Sequence, residues 1–343
     1  MQGRYFFSSV TRISTLNDCN FSVNKLSKPE WATGDYVVGE IITSPGCLRS
    51  IELPNGRMVE VADGDLVIGT FGKREATLEA VGDWQAITED MKFDLMTAAG
   101  LFGKITSKST FLPPTMSLNY QGHVFVDGKK SCMADFVLED DNIPFALPII
   151  LLIGTSMSAG KTTAGKVIVR QLKQAGYKVI GAKLTGAARY RDVLSMGDAG
   201  ADYIFDFVDI GLPSSICDPE IYRRQLRKLM SQMAHINADV LVAEAGASPL
   251  EPYNGSIAIE ELDQHVRCTV LCASDPYAVV GVSSAFGRKP DIVAGGATNT
   301  AAGIALVEKL TSIRGLNLMK KDSIPELNKI LSACLGFNLK NHL

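Results

Sequence analysis

The stretch that most constrains this chain is "PIILLIGTSMSAGKTT", residues 148–163. Apolar residues run unbroken from Ile149 to Ile153 and then give way to a Gly/Ser-rich turn that ends in Gly160-Lys161-Thr162-Thr163. A phosphate-binding loop makes specific physical demands. A strand must deliver the chain to a tight turn whose N–H groups face inward, and a helix must follow with its positive end aimed at the anion. Here "IILLI" supplies the strand, residues 154–160 the turn, and "KTTAGKVIVRQLKQAG" the helix. Gly154, Thr155, Ser156, Ser158, Ala159, Gly160, Lys161, Thr162 and Thr163 are therefore the candidate phosphate-binding residues. Lys161 would reach the outer phosphates, and the Thr162 hydroxyl would serve Mg²⁺. The spacing departs from Gly-x-x-x-x-Gly-Lys-Thr: Thr155 stands where the first glycine belongs, and Gly154 lies one residue earlier.

The two halves of the sequence have different grammar. Residues 1–145 read as a smaller β-rich domain, a barrel or a sandwich. "DYVVGEIITS" (35–44), residues 50–72 and residues 123–138 cluster β-branched residues between turns, with Asn55-Gly56 and Asp127-Gly128 as hairpin signals. An amphipathic helix is expected over residues 88–103, "TEDMKFDLMTAAGLFG". Residues 146–343 alternate instead. Strands are expected at 149–153, 177–183, 239–244, 266–273 and 290–294, and helices at 161–175, 219–236, 276–286, 300–312 and 323–335. That alternation predicts an α/β domain, a P-loop parallel sheet with flanking helices. The acidic, proline-bearing segment 139–148 is the natural joint.

Beyond the loop, the order of motifs resembles the dethiobiotin-synthetase-like P-loop family over roughly residues 149–300. The loop "GTSMSAGKT" is similar to that family's, and the next strand ends on Lys183 and leads into "TGAA". "MGDAGA" then places Asp198 at the family's magnesium-binding aspartate, and "ADVLVAEAGASP" places Glu244 at its second metal-associated carboxylate. The resemblance implies ATP or another nucleotide with Mg²⁺ as cofactors and Thr162, Asp198 and Glu244 as metal ligands. It makes Lys161 and Lys183 the catalytic lysines, with Lys183 meeting the acidic end of a small substrate. The family's Glu-Gly-Ala-Gly is Glu244-Ala245-Gly246-Ala247 here, and Leu184 replaces its proline. The continuation "SPLEPYNG" (248–255) looks closer to a less characterised neighbouring group linked to N-acylation of an acidic amino acid. Two alternatives therefore stand beside phosphoryl transfer: an N-acyltransferase that uses the loop for the diphosphate of acetyl-CoA, and a nucleotide-operated switch or delivery protein. Dimers are common in the class, so a homodimer is among the expectations.

Other residues are weighed on their chemistry. A lysine ending an apolar strand needs a counter-charge, which favours a functional Lys183. Asp198 competes with Asp192, Asp202, Asp206 and Asp209, all nearby in sequence. Arg189 and Arg191 are candidates to clamp a carboxylate, with an exposed loop as the plain reading. Thr298 and Asn299 are placed as nucleotide-base readers would be, while Asn299 or Thr300 would equally serve as a helix cap.

Composition narrows the class. The net charge of -3 offers no basic face for nucleic acid. Seven cysteines occur without a C-x-x-C pair, as expected of free thiols in a reducing compartment, and Cys268 and Cys272 read as small buried residues of one strand face. The four histidines lack metal-ligand spacing. The opening "MQGRYFFSSVTRIS" is not expected to act as a signal peptide, and the longest apolar run is too short for a membrane span. A cytoplasmic protein with no membrane partner is the expectation.

Overall fold

The computed structural model describes residues 4–139, 142–287 and 289–339. Residues 140 and 141 of the expected joint, and His342, lie outside them. The described chain divides into two compact units. The first holds the residues up to Glu139 together with Ala187–Arg191 and Phe207–Ile216; the second holds the remainder. The sequence boundary at 145/146 is a single cut, whereas this division is discontinuous.

In the first unit the strands Leu66–Phe71, Tyr36–Ile42, Ser117–Val126, Lys92–Thr97 and Leu101–Lys108 pair in that order. Leu101–Lys108 then pairs back onto Leu66–Phe71, which closes a barrel. Its interior is Val37, Val67, Phe71, Phe93, Leu95, Phe102 and Leu118, alternate residues of their strands facing inward. Both hairpin signals hold. Ser50–Glu52 pairs with Met58–Glu60 around Asn55-Gly56, and Asp127 and Gly128 turn with φ of 48° and 77°. The helix expected over 88–103 is absent, because two barrel strands and their turn occupy that stretch. Phe93 and Leu95 alternate into the core, Asp94 accepts bonds from Ile105 N–H and Ser117, and Gly100 makes the turn at φ 95°. Period-two burial wins over the helical spacing of the apolar residues.

The second unit is a parallel sheet. Its strands are β1 (Ile149–Gly154), β2 (Val179–Thr185), β3 (Tyr203–Asp206), β4 (Val240–Ala245), β5 (Val266–Cys272), β6 (Ile292–Ala294) and β7 (Arg314–Gly315). They lie in the order β3-β2-β4-β1-β5-β6-β7. The helices are α1 (Lys161–Gln174), α2 (Tyr190–Asp198, whose first two residues are counted with the first unit), α3 (Pro219–Ala234), α4 (Gly255–Leu262), α5 (Pro276–Phe286), α6 (Ala301–Thr311) and α7 (Ile324–Leu335). Every residue of β1, β2 and β4 is buried, as parallel strands covered on both faces must be. Glycines set the close approaches: a Cβ on Gly165 of α1 or Gly181 of β2 would lie 2.9 Å and 2.8 Å from Met196 of α2. The elements expected from sequence appear with small boundary shifts. The short pieces α2, β3, α4 and β7 are additions. Among the described residues, no helix is long and apolar enough to cross a membrane.

Candidate functional site

The site is built at the C-terminal ends of β1, β2, β3 and β4. β1 delivers the chain to the loop at Gly154, and Thr155 N–H bonds to the Cys272 carbonyl at the end of β5. Gly160 precedes α1 in a left-handed conformation, φ 103° and ψ 13°, which favours glycine. A Cβ there would come within 3.3 Å of Gly295 Cα. Thr155 Oγ1 accepts from Ser274 N–H at 3.2 Å, so the loop is also tied to the turn after β5.

Lys161 folds back under this loop. It is 1% exposed, and its Nζ donates to the Ser156 carbonyl at 2.7 Å. A Cβ on Gly154 would lie 2.7 Å from Lys161 Nζ and 2.9 Å from its Cδ, so Gly154 leaves the room the lysine occupies. That explains a glycine one place earlier than the standard spacing. Burial lowers the Lys161 ammonium from its ordinary pKa, and the Glu244 carboxylate partly offsets this.

Strand register sets the next row. Lys183 stands opposite Glu244 on β4 and opposite Asp206 on β3. Lys183 Nζ donates to Asp192 at 2.7 Å. Burial opposes its charge, but Asp192, Glu244 and Asp206 together outweigh burial and raise its pKa. Lys183 is therefore a fixed cation at neutral pH. Glycine lines its flanks: Cβ atoms on Gly186 and Gly246 would each sit 3.3 Å from Lys183 Cε.

Glu244 is buried and accepts from Thr162 Oγ1 at 3.2 Å. Cis ligands of an octahedral ion with bonds of about 2.1 Å stand roughly 3 Å apart, so this hydroxyl and carboxylate fit Mg²⁺. Burial pushes the Glu244 carboxyl above its usual range; Lys161 pulls it down, Asp192 pushes it up, and Lys183 and Thr162 pull it down. The two lysines against Asp192, Asp206 and Glu244 leave one formal negative charge, which a divalent ion would reverse to suit a polyphosphate.

The raised Glu244 carboxyl predicts a pH dependence. A Mg²⁺ ion held by Glu244 would need the ionised form, so its affinity should weaken on acidification, starting above the ordinary glutamate value of 4.5. The fall should approach about tenfold per pH unit below the group's own pKa and should be absent in Glu244→Gln. Titration calorimetry from neutral to mildly acid pH measures it. In the metal-free chain the sign reverses. Between 4.5 and the raised value the folded state holds a proton that the unfolded state has lost, so this group's contribution to stability falls as pH rises.

Asp198 does not join the site. It is the exposed last residue of α2, and the next turn places Gly200 against Lys173 in the last turn of α1, away from the loop at that helix's start. Asp192, six residues earlier and about 9 Å back along the helix axis, is the carboxylate that meets Lys183. With Asp192, Asp198, Asp202, Asp206 and Asp209 in one run, spacing alone does not select among them; the i, i+3 apolar pair Val193 and Met196 marks the buried face only once α2 is recognised. Arg189 and Arg191 are exposed and belong to the first unit. Thr298 spends its hydroxyl on the Gly295 and Leu316 carbonyls, and Thr300 caps α6 through Gly303 N–H at 3.1 Å. Asn299 remains exposed on the turn whose Gly295 abuts Ala159 of the loop. Ser158 and Thr163 are exposed, while Ser156 and Ala159 are buried.

No protein-family model and no curated protein matches the sequence. Among solved structures, a DUF1611 family protein from Anabaena variabilis is similar at 16% identity and a TM-score of 0.35, covering 57% of this chain and 60% of that one. Chloroplast FtsY from Physcomitrella patens is 15% identical, TM-score 0.34, covering 53% and 62%. A ParA family ATPase from Chlorobium tepidum is 14% identical, TM-score 0.32, covering 55% and 90%. The chain thus spans about three fifths of the length of the first two. Strand, loop and helix at residues 149–174 stand in the arrangement of P-loop nucleotide-binding folds on their own geometry.

Proposed function

We propose that this chain is a Mg²⁺- and ATP-dependent enzyme that transfers the γ-phosphoryl group to a small carboxylate- or carbamate-type acid. The observation that carries the reading is the pair of buried lysines, Lys161 in the loop and Lys183 at the strand end, on either side of Glu244. Hydrolysis alone needs one such cation at the γ-phosphate. A second, held charged by Asp192, suits a negatively charged acceptor beside it. An oxygen of the acid attacks the γ-phosphorus, the bond to the β–γ bridging oxygen breaks, and ADP leaves with that electron pair. Lys161 offsets charge on the transferred group, and Lys183 orients the acid. Thr162 and Glu244 would hold the Mg²⁺, which supplies charge neutralisation across the phosphates.

The test is thermal unfolding with Mg-ATP, Mg-GTP and acetyl-CoA, followed by a screen of small acids for acid-dependent ADP release. Mg-ATP should raise the unfolding temperature, and Lys183→Ala should keep that shift while raising KM for the acid by about tenfold or more. A shift with acetyl-CoA alone overturns the reading in favour of acyl transfer. Slow hydrolysis indifferent to every acid, but accelerated by a second protein, would turn it toward a switch.

A further inference from the structure

A second cluster of ligand atoms lies away from the phosphate loop. Cys268 on β5, Asp291 just before β6 and Cys334 in α7 each offer one ligand atom, and the three atoms lie within 4.8 Å of one another. We propose that Cys268, Asp291 and Cys334 form a site for a thiophilic divalent cation of the Zn²⁺ class, separate from the nucleotide site.

Donor chemistry selects the ion. Two sulfurs and one carboxylate favour Zn²⁺ or Cd²⁺, whereas Mg²⁺ and Ca²⁺ take oxygen. Metal–sulfur bonds of about 2.3 Å and metal–oxygen bonds of about 2.0–2.2 Å put tetrahedral ligands roughly 3.5–3.8 Å apart. The cluster therefore closes on an ion with side-chain shifts of about 1 Å. The carboxylate is already oriented: Asp291 Oδ2 accepts from Thr269 N–H at 2.7 Å, and Asp291 N–H donates to the Thr269 carbonyl at 2.9 Å. A ligating carboxylate is normally fixed by such an outer bond. Cys268 is buried, Cys334 half-buried and Asp291 exposed, so the site has an inner anchor and an open side. Three protein ligands leave the fourth position to water. Binding forms two metal–thiolate bonds and releases the two thiol protons.

Place in the fold gives the consequence. Cys268 pairs with Ile150 near the start of β1, while Cys272 pairs with Gly154 at the loop, four residues or about 13 Å further along the strand. The ion would tie α7 to the sheet at the end opposite the phosphate loop, a stabilising role with no part in the transfer chemistry. A disulfide would use the two sulfurs at about 2.05 Å and would leave the Asp291 carboxylate beside them outside the bond.

The experiment uses the full chain, reduced and freed of metal by chelation, titrated with Co²⁺. The expected result is a thiolate-to-cobalt charge-transfer band and tetrahedral ligand-field bands saturating at one ion per chain. Both should be lost in Cys334→Ser and altered in Asp291→Asn, and kept in Cys47→Ser, whose thiol lies in the first unit. Zn²⁺ should raise the unfolding temperature of the parent and of Cys47→Ser, with no rise in Cys334→Ser. Bands that persist in Cys334→Ser overturn the proposal. So does a reduced chain, its Cys268 and Cys334 verified as free thiols, that binds no Co²⁺.

Discussion

Lys161→Ala should remove the unfolding-temperature shift given by Mg-ATP and lower turnover by about 10²–10³-fold, while the chain without nucleotide stays folded. The two halves of that expectation have separate causes. The ammonium is desolvated beneath the loop, and burial lowers its pKa. Removing a buried cation relieves that cost, and Glu244 keeps Thr162 and Lys183 as neighbours. Against that relief, Glu244 loses its largest counter-charge and the Ser156 carbonyl its donor, so the folded state should lose about 1–3 kcal/mol. Ligand at about a hundred times its dissociation constant adds roughly 2.7 kcal/mol to the parent, so absence of the shift is easily read. Lys161→Arg should fail as well. A guanidinium is broader than an ammonium, and Gly154 leaves space only for the lysine stem and its Nζ. Retained shifts in both variants would mean that the loop does not hold the nucleotide.

Gly246→Ala should cost about 1–3 kcal/mol and weaken use of the acid substrate while sparing Mg-ATP binding. The added Cβ would stand 2.1 Å from the Thr185 carbonyl oxygen and 3.1 Å from its carbon. These are backbone atoms, and Thr185 Oγ1 already binds the Gly246 carbonyl at 2.9 Å, so neither strand end can swing away without breaking that bond. The same Cβ would press on Lys183 Cε at 3.3 Å. Gly281→Ala on the exposed face of α5 is the control. Nothing lies within 4 Å of its Cβ position, so it should stabilise by about 0.5–1 kcal/mol. Chemical denaturation of both variants, with KM for the acid, checks the pair. Equal stability of Gly246→Ala and parent would show that the strand ends yield.

The phosphate loop was legible because every part of it is local: apolar strand, glycines, Lys161 and Thr162 lie within 15 residues. Glu244 was legible as the polar end of a buried strand, and Lys183 as a cation requiring a partner. The partner itself was not. Asp192 and Asp198 differ only in which face and end of α2 they occupy, and α2 is short and flanked by glycine and charge. The pairing of Asp206 with Lys183 depends on the β2–β3 register, which no local pattern encodes. In the first unit, residues 88–103 carry apolar spacing that suits a helix as well as two strands. Only the neighbouring strands of the barrel decide between them. Cys268, Asp291 and Cys334 are brought together across 66 residues of chain, so spacing rules for metal ligands miss them.

The discontinuity of the first unit bears on the order of events at the ribosome. Glu52 is buried at the end of the Ser50–Glu52 hairpin strand, and its carboxylate accepts from Ser9 Oγ and from the backbone N–H groups of Tyr190 and Arg191. Arg12 likewise pairs with Asp209 at 2.6 Å. A nascent chain that has reached residue 145 has made every strand of the barrel but none of these later partners. At about 5–20 residues per second, residue 216 follows roughly 4–14 s later. During that interval Glu52 has Ser9 as its side-chain donor, and the acceptor positions later filled by Tyr190 and Arg191 N–H are left to water.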